Sequence, residues 1–122
     1  MFYCILSYNL EAELEAWSRE KAAAAMAKVE VVKSGLARQG RLGPVGRLMA
    51  TTTAMTVRAG RGGEPLVLDG PLAQTKEQLV GFYIVDCNSL DDAIEVARGL
   101  VGNTGGLEVR PLVHFYPGIG LQ

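Results

Sequence analysis

Few side chains in this chain are of a type and spacing to carry chemistry. Asp69, Thr75, Lys76 and Glu77 fall close together in "DGPLAQTKEQLVGFYIVDC", and Arg110 lies downstream in "LEVRPL". Asp69 and Glu77 offer carboxylates, Lys76 a point charge, and Arg110 a fixed guanidinium fork suited to a carboxylate or phosphate. In a partly apolar cleft the Asp69 carboxyl would rise toward the range useful for acid-base work. The same residues also have a local reading. Asp69-Gly70-Pro71 is a tight-turn sequence that closes a hairpin. Thr75 with Gln78 three residues on is a capping-box pattern that starts a helical turn before the next strand. Arg110 serves equally well as a cross-strand clamp on Glu77, so the segment reads both as a turn and as the rim of a ligand site.

Other chemistries lack their residues. No Gly-x-Ser-x-Gly elbow occurs, and Ser18, Ser34 and Ser89 lie on or cap helices. "AGRGGEP" has no following Lys-Ser/Thr pair and reads as a hairpin turn instead of a phosphate loop. The single histidine, His114, sits near the chain end in "VHFYPGIG" and reads as a surface or interface residue. Cys4 and Cys87 each fall in an apolar run, where a free thiol acts as a small hydrophobe, and no CxxC or Cys/His cluster suggests a metal. No metal and no cofactor is expected.

A chain of 122 residues fits one domain, and 48% hydrophobic with 20% charged residues marks it as globular. A net charge of −1 with dispersed basic residues supplies no attraction to nucleic acid or to an anionic membrane. "MFYCILSY" reads as a first strand rather than a leader, no apolar run approaches a membrane span, and the cytoplasm is the expected location.

Stepping outward from the candidate residues, the chain predicts a strand over 2–8 and one long helix from Glu11 to about Gln39, with Gly40 after its C-cap. Leu14, Trp17, Ala25, Val29, Val32 and Leu36 share one face of that helix, and the alanines of "KAAAAMAK" are expected to pack as core. Strands are expected near 45–49 and 53–58, a returning arm at 66–68, then a strand over 79–87 and a last strand over 107–113. Ser89 is expected to cap a second helix whose apolar face is Leu90, Ala93, Ile94, Ala97 and Val101. The order is that of a ferredoxin-like βαββαβ α+β sandwich with an inserted hairpin and both helices on one face of an antiparallel sheet. The last strand sets Leu107, Val109, Pro111 and Val113 against Glu108, Arg110, Leu112 and His114; the first sets Phe2, Cys4 and Leu6 against Tyr3, Ile5 and Ser7. The second set of each is mixed in polarity, and a homodimer joined through the sheet would cover it, enclosing a polar cavity. The tail from Phe115 to Gln122 is apolar, with Pro117, Gly118 and Gly120, and either lies along a partner subunit or frays.

"DGPLAQTKEQLVGFYIVDCNSLDDAIEVA", supported by "ATTTAMTVR" upstream and "LEVRPL" downstream, resembles the signature region of the DGPF-domain (DGPFAETKE) proteins of the YCII-related family. The resemblance covers nearly the whole chain. Leu72 replaces the usual phenylalanine, Gln74 the usual glutamate and Val80 the usual glycine, which removes an aromatic and a carboxylate from the region. The resemblance implies a ferredoxin-like fold that dimerises as a dimeric α/β barrel, and a link to extracytoplasmic-function sigma factors. Other YCII-like proteins carry a histidine-aspartate pair proposed as catalytic, with the histidine on the first helix. That helix has no histidine here, so the pair does not transfer.

Three functions are consistent with these features. The first is a small-molecule-binding or regulatory homodimer that takes a small polar or anionic ligand at Asp69, Thr75, Lys76, Glu77 and Arg110. The second is a cofactor-independent enzyme of isomerase or oxygenase type, resting on fold analogy. The third is an interaction module for a sigma-factor system.

Overall fold

A computed structural model describes residues 1–119. β1 (Phe2–Asn9) leads through the one-turn α1 (Glu11–Glu15) into the long α2 (Arg19–Arg38). Then come β2 (Leu42–Arg47), β3 (Met55–Arg58), β4 (Leu66–Asp69), β5 (Gln78–Asp86), α3 (Leu90–Leu100) and β6 (Gly106–Pro111). The main sheet has the order β2-β5-β1-β6, antiparallel throughout, while β3 and β4 pair only with each other as a separate hairpin. This is the expected ferredoxin-like α+β topology with its inserted hairpin.

The first helix is not continuous. Ala16 ends α1, and the Ser18 hydroxyl accepts the Lys21 N–H at 3.1 Å to cap α2 afresh. A serine side chain that can accept a first-turn amide competes with helix continuation, and here it wins. The other end of α2 follows expectation. Gly40 has φ +67°, its N–H donates to the Ala37 carbonyl at 3.0 Å, and the Arg41 N–H reaches back to Leu36 at 2.9 Å. That pair of bonds satisfies two orphan carbonyls and needs a residue free to adopt positive φ.

The core lies between the sheet and the two long helices. Tyr3, Ile5, Val85 and Cys87 from the sheet side pack with Leu36 of α2 and with Ala93, Val96 and Leu100 of α3. Each large apolar side chain so buried contributes about 1.5–3 kcal/mol. α3 buries Ala93, Val96 and Leu100, so its inner face is rotated from the expected one, and Leu90 stands exposed. Gly99 brings α3 against Val32 of α2, where an added Cβ would sit 3.3 Å from the valine methyl.

The two sheet faces also divide differently from the sequence expectation. Tyr3 and Ile5 are under the helices, opposite Val85 and Tyr83, whereas Cys4 pairs in register with Arg110 and Leu6 with Glu108. The mixed face therefore carries Phe2, Cys4, Leu6, Glu108 and Arg110. Adjacent antiparallel partners project to the same side, which fixes this grouping once the register is known. Phe115 folds back on Phe2 at the rim of that face, with ring centroids 4.7 Å apart. The remainder of the expected partner-facing tail, residues 120–122, lies outside the described residues.

The segment before β5 forms no helical turn. Thr75 Oγ1 donates to the Glu77 carbonyl at 2.6 Å and Gln78 Nε2 donates to the Thr75 carbonyl, so both capping-box side chains satisfy local backbone carbonyls instead of orphan amides. The expected strand near 45–49 lies at Leu42–Arg47. That expected at 53–58 begins at Met55, because Thr51–Thr53 take a 3-10 turn.

Candidate functional site

Over its first two turns α2 has Ala22 and Ala25 as its half-buried residues, where its later turns pack Val29, Val32 and Leu36 against the core. Small side chains between a helix and a sheet leave a gap that larger ones would fill. The result is a cavity of about 440 Å³ beneath α1 and α2. Its walls are Leu14, Trp17, Ala22, Ala25, Met26 and Val29 on the helical side. The end of β1, the strand β2 with its continuation to Ala50, Tyr83 of β5 and the segment 100–107 close the rest. The alanine stripe, expected as core, is thus the wall of a cavity: Ala22 and Ala25 line it, and Ala23, Ala24 and Ala27 are exposed.

The cavity's polar groups are unevenly engaged. Trp17 Nε1 and Thr104 Oγ1 are buried and have no hydrogen-bond partner among the described residues. Leaving such a group unpaired costs about 1–3 kcal/mol. The break between α1 and α2 is what lets Trp17 sit at this wall, and Thr104 is tied in place through its carbonyl, which accepts from Asn9 Nδ2 at 3.4 Å. Glu11 is fully used, since its two carboxylate oxygens accept the Thr51 N–H and hydroxyl. Lys28 Nζ donates to the Val101 carbonyl at 2.8 Å. Burial pushes the Tyr83 phenol up, against the opposing pull of Lys33 and Arg47 nearby, so it stays protonated at neutral pH. Arg47 is exposed at the rim, in contact with Met26 Sδ at 3.2 Å, and enters no ion pair among the described residues.

The residues singled out in the sequence lie elsewhere. Asp69 ends β4, Thr75, Lys76 and Glu77 lie in the connection to β5, and Arg110 is on the edge strand β6. All five are exposed and none lines the cavity. Among the described residues no ion pair or hydrogen bond joins Arg110 to Asp69 or Glu77, and the cross-strand clamp is not formed: Arg110 stands opposite Cys4. The DGP segment does not close the hairpin as expected: Arg61–Gly63 connect β3 to β4, and Gly70, at φ +95°, lies at the open end, where its carbonyl accepts the hydroxyl of buried Thr56 at 2.6 Å.

A second polar cluster, around Arg41, went unnoticed in the sequence. Its Nη2 donates to Asp92 Oδ2 at 2.9 Å and lies 3.5 Å from Cys87 Sγ, while its Nε donates to the Asp86 carbonyl at 3.0 Å. Asp92 also accepts the Asn88 N–H, and that bond, with Arg41, holds its carboxyl below the ordinary range. Burial pushes the Cys87 thiol up, which makes it inert. The cluster ties β2, β5 and α3 together. No sequence signal marked Arg41, because its partners Asp86, Cys87 and Asp92 lie 45 or more residues away, at the end of β5 and on α3. Trp17 carried a weak signal: it is the chain's only tryptophan and stands beside the alanine run.

Among the described residues no group of three or more His, Cys, Asp or Glu is placed to hold a metal ion, and no helix is long and apolar enough to cross a membrane. An uncharacterised protein of Rhizobium meliloti (strain 1021) is 47% identical over 121 residues, covering 97% of each chain. The model of the YCII-related domain matches residues 1–116. With that match spanning both the cavity and the DGP turn, the chain belongs to the YCII-related family.

Proposed function

We propose that this chain is a small-molecule-binding homodimer with its ligand seated in the cavity between α2 and the sheet. The observation that carries the reading is the cavity of about 440 Å³ itself, whose lining sets Trp17, Tyr83 and Arg47 among mostly apolar walls. A volume of that order suits a small organic ligand, and mostly apolar walls with a few convergent polar groups are the usual makeup of such sites. The homodimer reading is supported by the mixed face of the sheet and by the β3–β4 hairpin, whose Met55, Val57, Leu66, Val67 and Leu68 are all exposed. A two-stranded hairpin is marginal by itself and gains from a partner surface.

A second seat is favoured by one observation. Asp69, Lys76, Glu77 and Arg110 enter no ion pair among the described residues, leaving their charges free for an anion or polar ligand at a rim completed by the second copy. The two seats separate by mutation. Arg110→Ala or Asp69→Asn releases a rim ligand with the dimer intact and leaves a cavity ligand bound; Ala25→Leu does the reverse.

Native mass spectrometry of gently purified protein tests the reading. A dimer carrying a co-purified molecule that Ala25→Leu excludes supports it. A monomer at micromolar concentration, empty and unresponsive in Trp17 fluorescence to a metabolite panel, overturns it.

A further inference from the structure

Resting on the cavity reading above, we infer that this site selects an amphipathic anion: an apolar body along α2 with an anionic group held at the rim by Arg47. Lining residues run from Ala22 to Lys33 on α2, a length of about 16 Å at the helical rise of 1.5 Å per residue. That elongated wall is apolar for most of its course and asks for a body of matching character.

The charges around it are not balanced in availability. Its lining carries two carboxylates, Glu11 and Glu15, against three cations, Lys28, Lys33 and Arg47; Glu11 has both oxygens engaged by Thr51, while Glu15 is exposed and enters no ion pair among the described residues. Lys33 of α2 and Arg47 of β2 both line it together with Tyr83. Lys33 is paired with Glu30 at 3.4 Å. Among the described residues the Arg47 side chain makes one hydrogen bond, to the Met26 sulfur, and enters no ion pair, leaving its planar fork for a carboxylate, sulfonate or phosphate.

Two fluorescent probes that share an aromatic body test this on the full chain. 8-Anilino-1-naphthalenesulfonate carries an anionic group, and N-phenyl-1-naphthylamine is the same skeleton without it. Trp17, the only tryptophan, lines the cavity and reports binding by energy transfer to either probe. The sulfonate is expected to bind roughly fivefold tighter than the neutral probe, the size of one partly exposed charge-assisted contact. Arg47→Gln should abolish that difference with the neutral probe unaffected, and Arg47→Lys should keep part of it. Equal binding of the two probes in the native protein, or a preference that survives Arg47→Gln, overturns the anion assignment while the cavity stands. Absence of quenching by both probes, or binding unchanged in Ala25→Leu and in the milder Ala22→Val, overturns the cavity itself.

Discussion

Glu11 grips Thr51 twice: one carboxylate oxygen accepts the threonine N–H at 2.9 Å and the other its hydroxyl at 2.6 Å. The pair ties α1, and with it the Trp17 link, to the turn that follows β2, beside Ala50 of the cavity lining, and is expected to act as a latch that closes the cavity. Glu11→Ala leaves the Thr51 amide without its acceptor and should cost about 1–3 kcal/mol in urea unfolding. The same variant should red-shift Trp17 emission as water enters. Unchanged emission would show that the latch does not close the cavity.

Asp92 confers a pH dependence of known sign. Its carboxyl is held below the ordinary value, first by the Asn88 N–H and then by Arg41, so the unfolded chain binds its proton at higher pH than the folded chain does. Its contribution is therefore present above the unfolded-state value, about 4, and is lost as pH falls through the lower folded-state value. Asp92→Asn should flatten the acid limb of a Tm-versus-pH curve in that window and leave the profile unchanged in shape above about pH 6.

Arg41 is expected to resist conservative replacement. Its Nε and Nη2 reach the Asp86 carbonyl, Asp92 and Cys87 from one planar group, a geometry that a lysine ammonium does not reproduce. Arg41→Lys should lose roughly 1–2 kcal/mol of stability by denaturant titration, more than an exposed Arg58→Lys, which should be neutral.

Gly105 turns the chain into β6 at φ +77°, and a Cβ there would run into the Tyr8 carbonyl oxygen and the Asn9 side chain. Gly105→Ala combines backbone strain with a steric clash and should cost about 2–4 kcal/mol. Gly102→Ala, where a Cβ meets open space, serves as the control and should fall within about 0.5 kcal/mol of the native protein.

Dimer formation through the mixed sheet face makes a kinetic prediction. Cys4 lies on that face and is partly exposed in one subunit, whereas Cys87 is buried among the core residues. Alkylation of Cys4 by iodoacetamide should slow as protein concentration rises through the dimer's dissociation constant, and Cys87 should remain slow throughout. A Cys4 rate independent of concentration from nanomolar to high micromolar would count against association through this face.

The α+β class, the placement of the main strands, the Gly40 and Ser89 caps and the glycine-rich hairpin connection were legible in the sequence, because each depends on local periodicity or on one residue's backbone preference. Propensity and capping are properties of a few neighbouring residues, so a linear reading reaches them. Tertiary structure decided three other matters. Strand register put Cys4 beside Arg110 and sent Tyr3 and Ile5 under the helices; pairing partners are not encoded by one strand's alternation. Where α2 rests on the sheet decided that Ala22 and Ala25 wall a cavity instead of filling a core, since helical periodicity names a face but not the depth of what it meets. Arg41, Trp17 and Thr104 acquire their roles from groups distant in sequence, and long-range proximity exists only once the chain has folded.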